Sequence, residues 1–252
     1  MNIKFQDPGF QYSINSIMMF QTEEQSDWWK ESLFYFYPNL DQKYFDSLSQ
    51  PKRESYLEET LADFYIEHQP NIKEKIQTYQ KYWDCYKSQI EEALSDAFQI
   101  NVQELFPNLI ANVTLNPINP RFLSEHSFDI FHLNSEKGAL GVSIHELIHF
   151  VWFYVWHNHF HDSYEEYECP NLKWIFSEMV VEPIMRDPRL SSINPYFKTG
   201  CVYDYFYTMK IEGKPILDTM NIKYKTLPIT TFIEEGYDYC LTHEKEIRMQ
   251  IK

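Results

Sequence analysis

The segment Gly141–Phe160, GVSIHELIHFVWFYVWHNHF, constrains the fold more than any other part of the chain. Read as a helix, it is apolar almost all the way round, a pattern suited only to a helix enclosed by other elements. Yet His145, Glu146 and His149 stand in its middle. Taking polar groups out of water without partners costs several kcal/mol, roughly 2–7 for one amide or hydroxyl and more for a charge. The chain must therefore wrap this helix and also supply a compensating partner for the trio.

His145 and His149 are four residues apart, so they share a helix face one turn from each other. Both imidazoles can then reach one zinc ion at about 2.0–2.1 Å. Glu146 is rotated from His145 by roughly 100° for a helix of 3.6 residues per turn. It lies beside such an ion without having to bind it, as suits a general base acting on water. This is the HExxH arrangement of zinc peptidases, and the composition leaves only roughly 0.03 matches to chance. The plainer alternative makes the histidines core residues bonded to backbone or to Glu146.

A catalytic zinc takes three protein ligands and leaves one position open. A histidine six residues after His149, as in metzincins, is absent: that position is Val155, and the metzincin glycine position is Trp152. His157, His159 and His161 follow, but His157 is eight residues beyond His149. That is roughly 12 Å along a straight helix, so the cluster reads as a solvated loop or a separate metal site. Glu165, Glu166 and Glu168 sit in a polar run. Glu178 instead lies among Ile175, Phe176, Met179, Val180 and Val181, where a carboxylate is buried and must be paired. We take Glu178 as the third ligand; an ion pair with Lys173 or with a distant Arg is the competing reading. Glu182, one turn on, either holds the outer nitrogen of a ligand histidine or pairs with Arg186.

The rest of the chain bounds the setting. Two strand-like pieces, NIKF and QYSINSIMMF, open it. Helical periodicity then dominates, in QSDWWKESLFYFY, in a helix carrying Leu57, Leu61, Phe64 and Tyr65, and in a long one that Pro70 is expected to start. Near residue 110 the period changes to two, and NVTLNPI and FDIFHL read as strands. A helix over PNLKWIFSEMVVEPIM and an amphipathic C-terminal helix follow, the latter weakened by Gly236. The formal net charge of −15 argues against nucleic acid and anionic membrane as partners. No signal-peptide core opens the sequence. Cys85, Cys169, Cys201 and Cys240 stand far apart, as reduced thiols of a cytoplasmic protein would.

HELIH followed by an apolar helix bearing SEMVVEP resembles the gluzincin clan of zinc metallopeptidases, the thermolysin-like architecture, over about residues 110–185. The resemblance implies His145, His149 and Glu178 as ligands, Glu146 as the base and Glu182 as support. It also implies that FDIFHL lies at the rim of a cleft and pairs with extended substrate. The clan further stabilises the oxyanion with a Tyr or His, for which Tyr203, Tyr205, Tyr207 and His243 are open candidates. Peptide deformylases share the helix motif but require a cysteine ligand in an upstream loop, and Cys85 falls on a predicted helix.

The expectation is thus an α+β, zincin-like core (109–252) with a small mixed sheet and a central motif helix, preceded by a mainly helical lobe (1–108). The function expected is a Zn2+-dependent peptidase acting on a peptide or protein substrate. The alternatives are a zinc-containing binding protein without turnover and a zinc hydrolase of non-peptide amides or esters.

Overall fold

The computed structural model describes residues 1–22, 27–198 and 200–251. From the start run β1 (Ile3–Gln6), α1 (Phe10–Met18), α2 (Asp27–Phe36), α3 (Gln42–Asp46) and α4 (Gln50–Phe98). Then come β2 (Leu109–Thr114), β3 (Arg121–Phe122), β4 (Ser127–Phe131), α5 (Glu136–Phe160) and α6 (Leu172–Met185). The chain continues through α7 (Pro188–Ser191), α8 (Asp204–Thr208), the pair β5 (Lys210–Ile211) and β6 (Lys214–Pro215), α9 (Ile216–Thr226), α10 (Ile229–Thr242) and α11 (Glu244–Gln250). The protein is α+β, with one small mixed sheet of four strands.

Two compact units form, and neither is a continuous stretch of chain. One comprises residues 2–84 and 108–142; the other comprises Met1, 85–107 and 143–252. A single boundary at 108/109 was expected. The strands explain the different division, because β1 pairs with β2, Ile3 opposite Leu109, across that point.

The sheet lies wholly in the first unit, in the order β1-β2-β4-β3. β1–β2 and β2–β4 are parallel, and β3–β4 is antiparallel. All five residues of β4 are buried. FDIFHL therefore does not offer a free edge to substrate, as the resemblance implied. β2 occupies one side of it; on the other, the Asp129 and Phe131 amides donate to Pro120 O and Asn119 Oδ1, both at 2.8 Å. The outer edge of β1 is closed by a side chain: Gln80 accepts from Phe5 N (3.2 Å) and donates to Ile3 O (3.0 Å). Such an edge is protected from pairing with another strand.

NIKF is a strand, but QYSINSIMMF is not: α1 covers most of it. Its buried positions are Ser13, Ile14, Ser16 and Ile17, a helical face half made of serines, which hid the period. The serines are satisfied internally. Ser16 donates to Asp129 Oδ2 (2.5 Å), and Leu115 N donates to Ser13 Oγ (3.3 Å). In the helix expected over QSDWWKESLFYFY, Gln25 and Ser26 lie outside the described residues; α2 runs from Asp27 to Phe36.

Pro70 starts nothing, because α4 is a single helix of 49 residues with the proline inside it. An interior proline removes one hydrogen bond and costs about 3 kcal/mol. Here Pro70 is exposed, as is Ile66, the residue whose carbonyl it frees, so water can take the place of the lost donor. Leu57, Leu61, Ile72 and Tyr79, buried on both sides of it, hold the helix in register.

α5, whose residues from Ser143 onward belong to the second unit, is the enclosed helix. By length and composition it could cross a bilayer, yet 83% of its most apolar window is buried within the protein. Ser135 starts it, its Oγ accepting from Gly138 N at 3.0 Å. Trp152 and Trp156, both fully buried, pack on Phe176 of α6; Trp152 also meets Phe232, and Trp156 meets Tyr237, of α10. Gly236 is required there. A Cβ at that position would stand 2.4 Å from Phe176 Cζ, which explains a glycine inside an amphipathic helix.

Candidate metal centre

The return from α5 to α6 is fixed by one carboxylate. Asp162 accepts from Trp156 Nε1 of α5 (2.9 Å), from Tyr167 of the connecting turn and from Lys173 of α6. Together these bonds hold the carboxyl below its usual range despite its partial burial. Lys173 also bonds Glu166 at 2.5 Å, so it is not the partner of Glu178. The antiparallel return that results brings Glu178 to the face of α5 carrying His145 and His149.

His149 Nε2 lies 3.1 Å from His145 Nε2 and 3.3 Å from Glu178 Oε1. His145 Nε2 lies 3.6 Å from Glu178 Oε2. The two contacts to the carboxylate exceed the roughly 2.7–2.9 Å of charge-assisted hydrogen bonds. They match something else. Ligands at 2.0–2.2 Å from a tetrahedral zinc are separated from one another by about 3.3–3.6 Å. The set of two imidazole nitrogens and one carboxylate is also a catalytic zinc set. Among the described residues, no fourth His, Cys, Asp or Glu joins these three.

The triad is buried, with one opening. His149 is 0% exposed and Glu178 3%, while the His145 side chain keeps 24% of its surface in solvent. Burial pushes the Glu178 carboxyl up, but His149 and His145 beside it prevail and hold it well below the usual range. His149 stacks on Phe153, and Phe153 on Tyr167. Glu146, next to His145, is itself buried at 6% exposure.

The outer nitrogen of His145 is held by the backbone carbonyl of Cys201, 3.2 Å from Nδ1, and not by Glu182. A carbonyl can only accept, so Nδ1 donates to it, and Nε2 is the nitrogen turned toward Glu178 and His149. Glu182 instead accepts from Arg186 Nε at 2.8 Å, the second of the two expected pairings. Cys201 was not foreseen, and no sequence signal could have marked it, since every residue has a carbonyl. Its own thiol is pushed up to about 11 by burial. None of the four cysteines forms a disulfide.

The remaining candidates separate. His157 Nδ1 donates to Asp162 O (2.9 Å) and His159 bonds Glu234 (2.7 Å); neither histidine, nor His161, belongs to the triad. Glu165, Glu166 and Glu168 are likewise outside it. His243 packs at a tilt of 49° against Tyr239, with Nδ1 3.8 Å from Glu246. Tyr203 stacks on Tyr205 and meets Trp174 at a tilt of 58°. The Tyr207 hydroxyl is engaged with Cys201. Tyr205 differs from these: its phenol is raised first by burial and next by the charge of Glu178, which places it in the field of the triad. No hydrogen bond within the described residues occupies its hydroxyl.

No family model, no curated protein and no solved structure matches the chain. The site alone therefore defines what can be said of its class: an α+β protein with a buried His-His-Glu group that can hold a metal ion.

Proposed function

We propose that the protein is a zinc-dependent peptidase with a zincin-like core, cleaving peptide bonds with a water activated in this site. The observation that carries the reading is the triad's spacing: both nitrogen-to-carboxylate distances, 3.3 and 3.6 Å, are tetrahedral edge lengths, the two imidazole nitrogens lie 3.1 Å apart, and no fourth His, Cys, Asp or Glu joins them among the described residues. A structural zinc takes four protein ligands; three leave room for water. When bound, the ion acts as a Lewis acid and lowers the pKa of a water from 15.7 to about 7.

The chain's own residues do the rest. His145, His149 and Glu178 would hold the ion, with the part-exposed His145 on the solvent side. Glu146 accepts a proton from the attacking water on a carboxylate oxygen. It then gives that proton to the amide nitrogen, which leaves as an amine while the carbonyl carbon keeps the water's oxygen. Tyr205, whose phenol feels the charge of Glu178 and whose hydroxyl no described residue occupies, donates a hydrogen bond to the carbonyl oxygen as that oxygen gains charge.

The test pairs metal content with cleavage. Protein purified without added metal should hold about one zinc per chain and should cleave an unstructured protein such as casein. Glu146→Gln should keep the zinc and lose about 10²–10⁴ in rate, because an amide cannot take the proton. Loss of zinc in that variant would make Glu146 a ligand instead. Wild-type protein that neither holds zinc nor takes it up on addition removes the proposal.

A further inference from the structure

Residues 200–207, leading into α8, make a small closed structure beside His145. Gly200 has φ +121°, a conformation that favours glycine, and its N–H donates to Tyr196 O at 2.8 Å. From there the chain turns so that the Cys201 carbonyl faces His145 Nδ1 at 3.2 Å. Six residues later Tyr207 comes back. Its hydroxyl accepts from Cys201 N at 3.0 Å and lies 3.7 Å from Cys201 Sγ, to which its proton can be given. The backbone N–H of Cys201 is thus held on one side by Tyr207, and its carbonyl is spent on His145 on the other. Tyr207 is 43% exposed, so it contributes little to the core. Its hydroxyl is nonetheless partly enclosed, and burial followed by the neighbouring Cys201 pushes the phenol up to about 12, so the group stays a protonated donor.

We infer that Tyr207 is a positioning residue of the metal centre: it braces the Cys201 peptide so that the carbonyl keeps a proton on His145 Nδ1 and leaves Nε2, the nitrogen turned toward Glu178 and His149, to take the metal. The inference rests on the proposed metal site, and it gives Cys201 a role through its backbone and none through its sulfur. Partners one step removed from the ligands typically set metal affinity by about 10–100-fold, because they fix the tautomer and ring direction of a ligand histidine.

The experiment uses the full chain and zinc itself. Zinc affinity is measured by competition with a chromophoric chelator for wild type, Tyr207→Phe and Cys201→Ala. The long-range ¹H–¹⁵N spectrum of histidine-labelled, metal-free protein reports the His145 tautomer in each. Thermal melts confirm that the variants are folded. Tyr207→Phe should weaken zinc about tenfold or more and shift His145 from the Nδ1–H form toward a mixture. Cys201→Ala keeps the carbonyl and should stay within about threefold of wild type. Wild-type affinity and an unchanged His145 tautomer in Tyr207→Phe would overturn the brace and leave the metal site standing. Loss of zinc in Cys201→Ala would also overturn it, by making the sulfur a ligand. Wild type that binds no zinc would remove the metal reading itself, and the metal-free tautomer spectrum would still decide whether Tyr207 sets the state of His145.

Discussion

Asp129 offers a quantitative test of the sheet unit. It is 0% exposed, on β4, and accepts from Ser16 Oγ (2.5 Å), Tyr12 OH (2.9 Å) and Asn112 Nδ2 (3.4 Å). No cation faces it among these partners. Burial raises its pKa from 3.8 to about 6; the three hydrogen bonds reduce that rise without cancelling it. The native state therefore holds the proton more tightly than the unfolded chain. The resulting stability is fully present below pH 3.8 and is lost as pH rises through about 6. About 2 pKa units correspond to about 3 kcal/mol, of which about 2 fall between pH 4.5 and 7.5. Asp129→Asn removes this titration but leaves an amide N–H₂ among groups that want to donate, a loss of about 1–3 kcal/mol at any pH. The prediction concerns the difference between the two proteins. Urea unfolding at pH 4.5 should show the variant about 2 kcal/mol worse, relative to wild type, than at pH 7.5. Other titrating groups cancel in that comparison. A difference constant to within about 0.5 kcal/mol across the range would show that Asp129 ionises as it does in water and would refute the reasoning.

Three further outcomes are expected. Glu178→Ala should lower zinc content sharply while Glu166→Ala leaves it unchanged, measured by elemental analysis; the opposite pattern would move the third ligand to the loop before α6. Gly236→Ala should destabilise the protein by about 1–3 kcal/mol in urea unfolding, as overpacking does, and a second change, Phe176→Leu, should recover part of the loss. Tyr205→Phe should lower kcat by about 10²–10³ with KM little changed, as loss of an oxyanion donor does; an unchanged kcat would return the role to Tyr203 or His243.

The candidate ligands were legible because each violated its surroundings. His145, His149 and Glu178 are polar side chains in apolar helices, and two of them share a helical spacing. What was not legible depended on contacts between distant parts of the chain. The N-terminal strand was visible, but its pairing of Ile3 with Leu109 left no trace in either segment. Ser13 and Ser16 gave α1 a face that reads as polar until Asp129 and the Leu115 amide are placed against it. Pro70 obeyed a local rule that the flanking core overrode. Gly236 looked like a weakness of α10 and is instead the clearance for the ring of Phe176. The grip on His145 came from a main-chain carbonyl, which no residue identity announces.

The parallel pairing of β1 with β2 also sets a timetable. On a ribosome adding about 5–20 residues per second, Leu109 is made roughly 5–20 s after Ile3, and β4 follows later still. Through that interval the strand of residues 3–6 has no sheet to join. What emerges behind it is helix, ending in the 49 residues of α4, whose Gln80 can already grip Ile3 and Phe5 through its side-chain amide. The same glutamine that caps the finished sheet can thus act as a placeholder during synthesis, shielding the backbone of a nascent strand from other chains until its partner arrives.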